Sequence, residues 1–175
     1  MRYNQRSVKQ QYQNAGNNAQ GHLFESAIMA GCSTYRENGR AEISKTPEPF
    51  RVLSKGEYGI FTGRFTAHAQ PDFQGTLSDG RSIVFEAKTT TSDRMKRDVL
   101  TAEQQKVLES HMNLGAVAAV CIGIEDKFFF IPWEIWREMK EHYGRKYITA
   151  SDIEEFRVKF NGAVLFLDYM NKPKE

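Results

Sequence analysis

Asp72, Glu86 and Lys88 are the residues of this 175-residue chain whose types and spacing could do chemistry together. Glu86 and Lys88 stand two apart in the run Ser82-Ile83-Val84-Phe85-Glu86-Ala87-Lys88. Side chains alternate along an extended strand, so Val84, Glu86 and Lys88 share one face while Ile83, Phe85 and Ala87 share the other. Two carboxylates side by side repel each other unless a cation lies between them. A hard divalent ion such as Mg2+ suits that place, because it takes oxygen ligands from one or two carboxylates plus waters. A lysine two residues from a metal-bound carboxylate can hold or help deprotonate an attacking water while the metal stabilises charge on a phosphate. The chemistry implied is metal-assisted phosphodiester hydrolysis.

Asp72 joins Glu86 only in one hairpin register. A two-residue Asp79-Gly80 turn sets Phe73 beside Glu86 and mixes apolar with charged residues on both faces. A three-residue Ser78-Asp79-Gly80 loop, with Gly80 in the left-handed conformation, sets Leu77 opposite Arg81, Phe73 opposite Phe85 and Asp72 opposite Glu86. Directly opposed residues share a face, so the hydrophobic pattern favours this second register. The order Asp, then Glu-x-Lys, is the signature of the PD-(D/E)xK nuclease fold. By itself a Glu-x-Lys triplet is ordinarily a solvated strand edge, and its weight here comes from the hairpin around it.

The elements that must position these residues follow from the rest of the chain. A length of 175 residues suits one domain with a real core. Apolar residues at 40% and charged residues at 26% are ordinary for a globular protein. A net charge of +2 does not by itself mark a nucleic-acid binder, but residues 1–20 hold Arg2, Arg6 and Lys9 with no acid. Residues 1–18 read as a flexible basic N-terminal arm. Cys32 and Cys121 lack metal-type spacing and read as buried thiols in a reducing compartment. With no secretory or membrane-length segment in sight, the reading is cytoplasmic. The four histidines, His22, His68, His111 and His142, share no ligand spacing.

Leu23, Phe24, Ala27, Ile28 and Cys32 recur at helical spacing over about residues 18–35, with Glu25 beside the stripe. Residues 40–44 read as a strand, followed by a proline interruption at Pro47 and Pro49. Residues 50–53 and 60–65 read as a projecting hairpin in which Lys45, Arg51, Lys55 and Arg64 outnumber Glu48 and Glu57 and aromatics are interleaved. The polar stretch 89–98 reads as a loop able to hold phosphates through Arg94, Lys96 and Arg97. Thr101 and Gln104 form a capping-box pattern that opens a helix to about residue 113, with Val107, Leu108 and Met112 inward. Gln104 or Gln105 near the helix start could reach the site. Residues 116–124 read as a buried central strand and 128–131 as its antiparallel neighbour. Pro132 then starts a helix to about residue 142. Ser151 is expected to cap a short helix over 152–157, and residues 163–168 give the last strand.

These residues together resemble the RecU-type Holliday junction resolvases of Gram-positive bacteria and their phages. The resemblance runs through Gly21-His22-Leu23-Phe24-Glu25, Lys45-Thr46-Pro47-Glu48-Pro49-Phe50, Asp72-Phe73-Gln74-Gly75, Phe85-Glu86-Ala87-Lys88, residues 104–108 and 130–136, and Gly144-Arg145-Lys146-Tyr147-Ile148. It implies an α/β, restriction-endonuclease-like fold: a mixed central sheet flanked by helices, with a protruding stalk hairpin over about residues 47–69. The nuclease domain would span 19–170, followed by a short tail at 171–175. It further implies a homodimeric, Mg2+-dependent endonuclease, with Mn2+ as a substitute ion, that makes paired nicks in four-way junction DNA. On that pattern Asp72, Glu86 and the Ala87 carbonyl bind metal, Lys88 acts on the water, and Glu25 and Gln104 support the site. Lys55, Arg64, Arg94, Lys96 and Arg97 are the expected DNA contacts, and a recombinase or branch-migration protein is a candidate further partner. Thr89 and Glu103 depart from the family pattern, which has an acidic residue and often a histidine at those places. Two other readings stand beside this one: a restriction-like or repair nuclease on duplex DNA, and a non-catalytic DNA-binding or recombinase-modulating protein on the same fold.

Overall fold

The computed structural model describes the backbone of residues 5–47, 49–65 and 70–171, and their side chains except for residues 5–18 and 65. The end of the expected stalk (66–69), residue 48 and most of the expected C-terminal tail (172–175) lie outside the described residues. So do residues 1–4 of the expected arm.

The first helix, α1 (Gln5–Glu37), starts well before the expected residue 18. The run from Gln5 to Gln20 has no proline and holds five glutamines, which favour helix, so nothing in it forces the helical ladder to stop. The buried stripe is Phe24, Ile28, Cys32 and Tyr35; Leu23 instead points to solvent, 72% exposed. A Cβ at Gly31 would strike the Val164 carbonyl, so α1 lies backbone-close on the last strand.

Strand β1 (Ala41–Lys45) follows, then the paired β2 (Phe50–Lys55) and β3 (Phe61–Phe65), then β4 (Phe73–Leu77) and β5 (Ser82–Thr90). Because β1 pairs directly with β4, the β2–β3 ribbon between them leaves the sheet, and every residue of β2 is exposed. A short strand β6 (Arg94–Lys96), helix α2 (Ala102–Asn113) and strand β7 (Val117–Ile124) come next. Then follow β8 (Lys127–Pro132), two one-turn helices α3 (Trp133–Arg137) and α4 (Met139–Tyr143), β9 (Tyr147–Thr149), β10 (Val158–Phe160) and β11 (Val164–Tyr169). The central sheet has the order β1-β4-β5-β7-β8, and only the β5–β7 pair is parallel. The parallel pair requires the crossover that α2 supplies. The architecture is therefore mixed α/β, with helices on both sides of a mixed sheet.

Alternation along β5 divides the core. Ile83 and Phe85 join α1 and β11 on one face; Val84 joins α2, α3 and α4 on the other. Phe73 stacks on Phe85 with centroids 5.0 Å apart, and Gly80 has φ +87°, so the three-residue loop and its register are as expected. Cys32 and Cys121 are buried free thiols.

Four local expectations change. Residues 89–98 are not a loop: β5 runs to Thr90 and β6 pairs with β9, because Met95 drops into the core while Arg94 and Lys96 stay out. The expected helix from Pro132 is broken at Glu138 (φ −95°, ψ 21°). Its ladder is interrupted where Arg97 Nε donates to the Arg137 carbonyl at 3.1 Å and the Glu141 N–H turns to the Glu138 carbonyl instead. The helix expected over 152–157 shrinks to a 3-10 turn, Glu154–Phe156, that no side chain caps; Asp152 turns back instead to accept from the Thr149 N–H and hydroxyl. Strand β10 was not expected; it turns back onto β11 through Gly162 at φ +96°.

Gly75 lies where β4 crosses β1, and a Cβ there would meet the Glu42 carbonyl and lie 2.6 Å from Ile43 Cα. Both obstacles are backbone of the paired strand β1, so they give way only by breaking the β1–β4 ladder. Gly75→Ala should destabilise the fold by about 3 kcal/mol or more, read as a lower urea midpoint.

Candidate active site

Two elements deliver the site. The hairpin brings Asp72, just before β4, beside Glu86 on β5, and α2 lowers Gln104 onto the same face. Asp72 Oδ2 accepts from the Ala87 N–H at 2.8 Å and from Lys88 Nζ at 3.1 Å. Glu86 Oε2 accepts from Lys88 Nζ at 2.9 Å and from Gln104 Nε2 at 2.5 Å. One ammonium thus bridges two carboxylates. The Glu86 side chain is 1% exposed, against 26% for Asp72 and 20% for Lys88.

Burial is the main cause that pushes the Glu86 carboxyl up to about 7, with the Asp72 charge adding to it and Lys88 opposing. Burial would lower the Lys88 ammonium, but Glu86 and Asp72 outweigh it and hold its pKa above the ordinary lysine value. As it stands Lys88 is a donor. That favours holding a water or phosphate oxygen over removing a proton from it.

Gln104 has two jobs that fix each other. Its Oε1 accepts from the Thr101 N–H at 3.0 Å while Thr101 Oγ1 accepts from the Gln104 N–H at 3.2 Å, closing the capping box. With the carbonyl end of the amide so engaged, the NH2 end has to face Glu86. The expected capping signal and the expected site role are one arrangement.

The residues fit a hard divalent ion. The donors are oxygens, and Asp72 Oδ2 and Glu86 Oε2 already converge on one cationic group. Among the described residues no protein donor bonds Asp72 Oδ1 or Glu86 Oε1. The Ala87 N–H points to Asp72, and in a strand the carbonyl of the same residue points the same way, into the gap left where β4 begins at Phe73. The groups here that could hold such an ion are the two carboxylates and the Ala87 carbonyl, with water to complete a shell.

Glu25 is not brought to this pair. It takes Lys45 Nζ at 2.5 Å and lies 3.9 Å from His22 Nδ1. The reason is the side of the sheet: α1 packs on the Phe85 face and Glu86 projects from the other. Lys45, opposite Phe73 and one residue from the row of Asp72, links Glu25 to the neighbourhood of the site. Its position in the Lys45-Thr46-Pro47 run was the signal available in the sequence.

The expected DNA contacts divide. Lys55 and Arg64 are exposed on the β2–β3 ribbon, and Arg64 stands directly opposite Arg51. Lys96 is exposed on β6. Arg94 is held by Asp93 at 3.0 Å and lies 5.2 Å over the Tyr147 ring, and Arg97 is spent on the Arg137 carbonyl. Arg145 lies 4.8 Å over the same Tyr147 ring, so β6 and β9 form a basic ribbon that three-residue strands hid from sequence reading.

A mixed sheet with Asp before one hairpin strand and Glu-x-Lys on the next is the architecture of the nuclease class anticipated above. The chain belongs to the RecU family: the family model described as Recombination protein U matches residues 19–174. No curated protein matches the sequence. Among solved structures, the Archaeoglobus fulgidus Hjc, a Holliday junction resolvase from an archaeal hyperthermophile, matches over 77% of this chain and 87% of that one, with 14% identity and a TM-score of 0.46.

Removing Gln104 breaks both of its bonds at once. Gln104→Ala should cost roughly 1 kcal/mol of stability from the cap. Loss of the Glu86 contact should lower the nuclease rate about 10- to 100-fold. Thermal unfolding and a cleavage time course separate the two.

Proposed function

We propose that this chain is a metal-dependent endonuclease that resolves four-way DNA junctions by paired nicks. The observation that carries this reading is the convergence of Asp72 Oδ2 and Glu86 Oε2 on a single cation, within a RecU-family chain. Asp72, Glu86 and the Ala87 carbonyl would hold Mg2+, or Mn2+ in its place. When bound, the ion supplies Lewis-acid stabilisation of charge on the phosphate and a more acidic water. Lys88 orients the water or a phosphate oxygen with its ammonium protons. Gln104 fixes the buried carboxylate, and Glu25 acts at one remove through Lys45.

The β2–β3 ribbon supports the junction as substrate. Like charges directly opposed across a strand pair are destabilising, so Arg51 opposite Arg64 suits an anion lying over that face. At the ribbon's tip Tyr58 is 96% exposed with φ +56°. On the apolar face Phe50 and Phe61 stack at 5.3 Å, yet each is about half exposed. A lone two-stranded ribbon is marginal in water, so this face favours a second copy as cover. A two-fold homodimer would place two identical sites in the relation that a junction's own approximate two-fold symmetry requires. Lys55 and Arg64 on the ribbon, with Lys96 on β6, are the DNA contacts of this reading, whereas Arg94 and Arg97 are already engaged by Asp93 and the Arg137 carbonyl. Among the described residues no helix is long and apolar enough to cross a membrane, and a DNA substrate places the work with the chromosome or a replicating phage genome, in the cytoplasm.

Asp72→Asn and Glu86→Gln should each abolish cleavage of a four-way junction in Mg2+ while leaving its binding largely intact, because affinity comes mainly from phosphate contacts. Near-normal turnover by either variant would remove the pair from the active site.

A further inference from the structure

Three buried side-chain polar atoms among the described residues have no hydrogen-bond partner, and one of them is at the candidate active site. Thr46 is 9% exposed and its Oγ1 has no hydrogen-bond partner among the described residues. The other two, Trp136 Nε1 and Arg145 Nε, belong to α3 and to the turn before β9. A buried hydroxyl left unpaired is unfavourable, since water satisfied it before folding. Such a group in a native fold calls for a reason.

Its position supplies one. Lys45 pairs with Phe73 across β1–β4, and Phe73 with Phe85 across β4–β5. One step along both ladders sets Thr46 opposite Asp72 and Asp72 opposite Glu86. The Thr46 N–H indeed donates to the Asp72 carbonyl at 2.9 Å. Opposed residues share a face, so Thr46 belongs to the side of the sheet that carries the two carboxylates. Both protein contacts of that carboxylate fall on Oδ2; Oδ1 has none among the described residues.

We propose that Thr46 is a positioning residue of this site, whose hydroxyl donates to Asp72 Oδ1 when the carboxylate turns from the Lys88 ammonium toward a divalent ion. The inference rests on the metal reading given above. A ligating carboxylate is normally fixed by such a bond from behind, and losing one typically weakens metal affinity about 10- to 100-fold. Buried beside Asp72, Thr46 would not touch the DNA or the ion.

The test is Mn2+ binding to the full chain without DNA, by calorimetry, with melting temperature in EDTA as a second readout. Thr46→Val keeps shape and removes the hydroxyl, Thr46→Ala is a second hydroxyl-free variant, and Thr46→Ser restores the donor. Wild type and the serine variant should bind Mn2+ alike, and the valine and alanine variants about 10- to 100-fold more weakly. The valine variant should melt in EDTA no lower than wild type. Unchanged Mn2+ affinity in both hydroxyl-free variants overturns the proposal, whether or not they melt earlier, since a melting loss alone would mark a purely structural hydroxyl. Failure of the wild type itself to bind Mn2+ overturns the metal reading beneath it and is thereby told apart.

Discussion

Two carboxylates pressed together at the edge of one hairpin, one of them buried, are what the surrounding structure has to hold in place. Left alone, Asp72 and Glu86 would separate or take up a proton, because a buried charge beside a like charge is costly. The protein answers with a set of donors: Lys88 between the two, Gln104 on Glu86 and the Ala87 N–H on Asp72. Each donor depends on a feature away from the site. Lys88 arrives by strand alternation, Gln104 by a helix cap, and the Ala87 N–H is free because β4 starts one residue after Asp72.

Register is the second dependence. A slip of one residue would carry Glu86 into the α1 face and Phe85 into the site. The stacked pair Phe73–Phe85, continued by Phe166 and Phe130 at 4.9 and 5.3 Å from Phe85, makes such a slip expensive in buried aromatic surface. Gly75 lets β4 approach β1 closely enough to keep Asp72 in line, and the left-handed Gly80 fixes the loop length. The same two-sided arrangement explains why the α1 carboxylate, Glu25, falls to Lys45 and leaves the metal-type pair to the hairpin.

Much of this was legible because the governing patterns are short-range. Alternation in β5, the Phe73 and Phe85 positions and the Gly80 loop together define the hairpin, and Thr101 with Gln104 marks a helix start by local chemistry. What stayed hidden depends on distant partners. Strand β6 exists because β9 pairs with it and Met95 finds a core, neither of which three residues can announce. The break at Glu138 goes with Arg97 taking the carbonyl of Arg137, forty positions later in the chain. Glu25 lies in a motif that marks it for the site, but only packing decides which side of the sheet its helix occupies. Arg94 and Arg97 look like free cations in sequence and are engaged by Asp93, Tyr147 and Arg137 in the fold.

The arrangement ties chemistry to substrate shape: a site able to cut one strand, and a ribbon whose opposed arginines and exposed aromatics favour a place where phosphates converge from several arms. The ribbon lies between β1 and β4 and the carboxylate pair on the hairpin that follows it, so both are carried by the same strands. The most direct measurement is cleavage of a synthetic four-way junction beside a linear duplex of the same sequence, with Mg2+ and with EDTA. The account predicts paired, symmetry-related nicks in the junction, only in Mg2+, with the linear duplex spared. Equal cutting of linear duplex, or junction cutting that persists in EDTA, would contradict it.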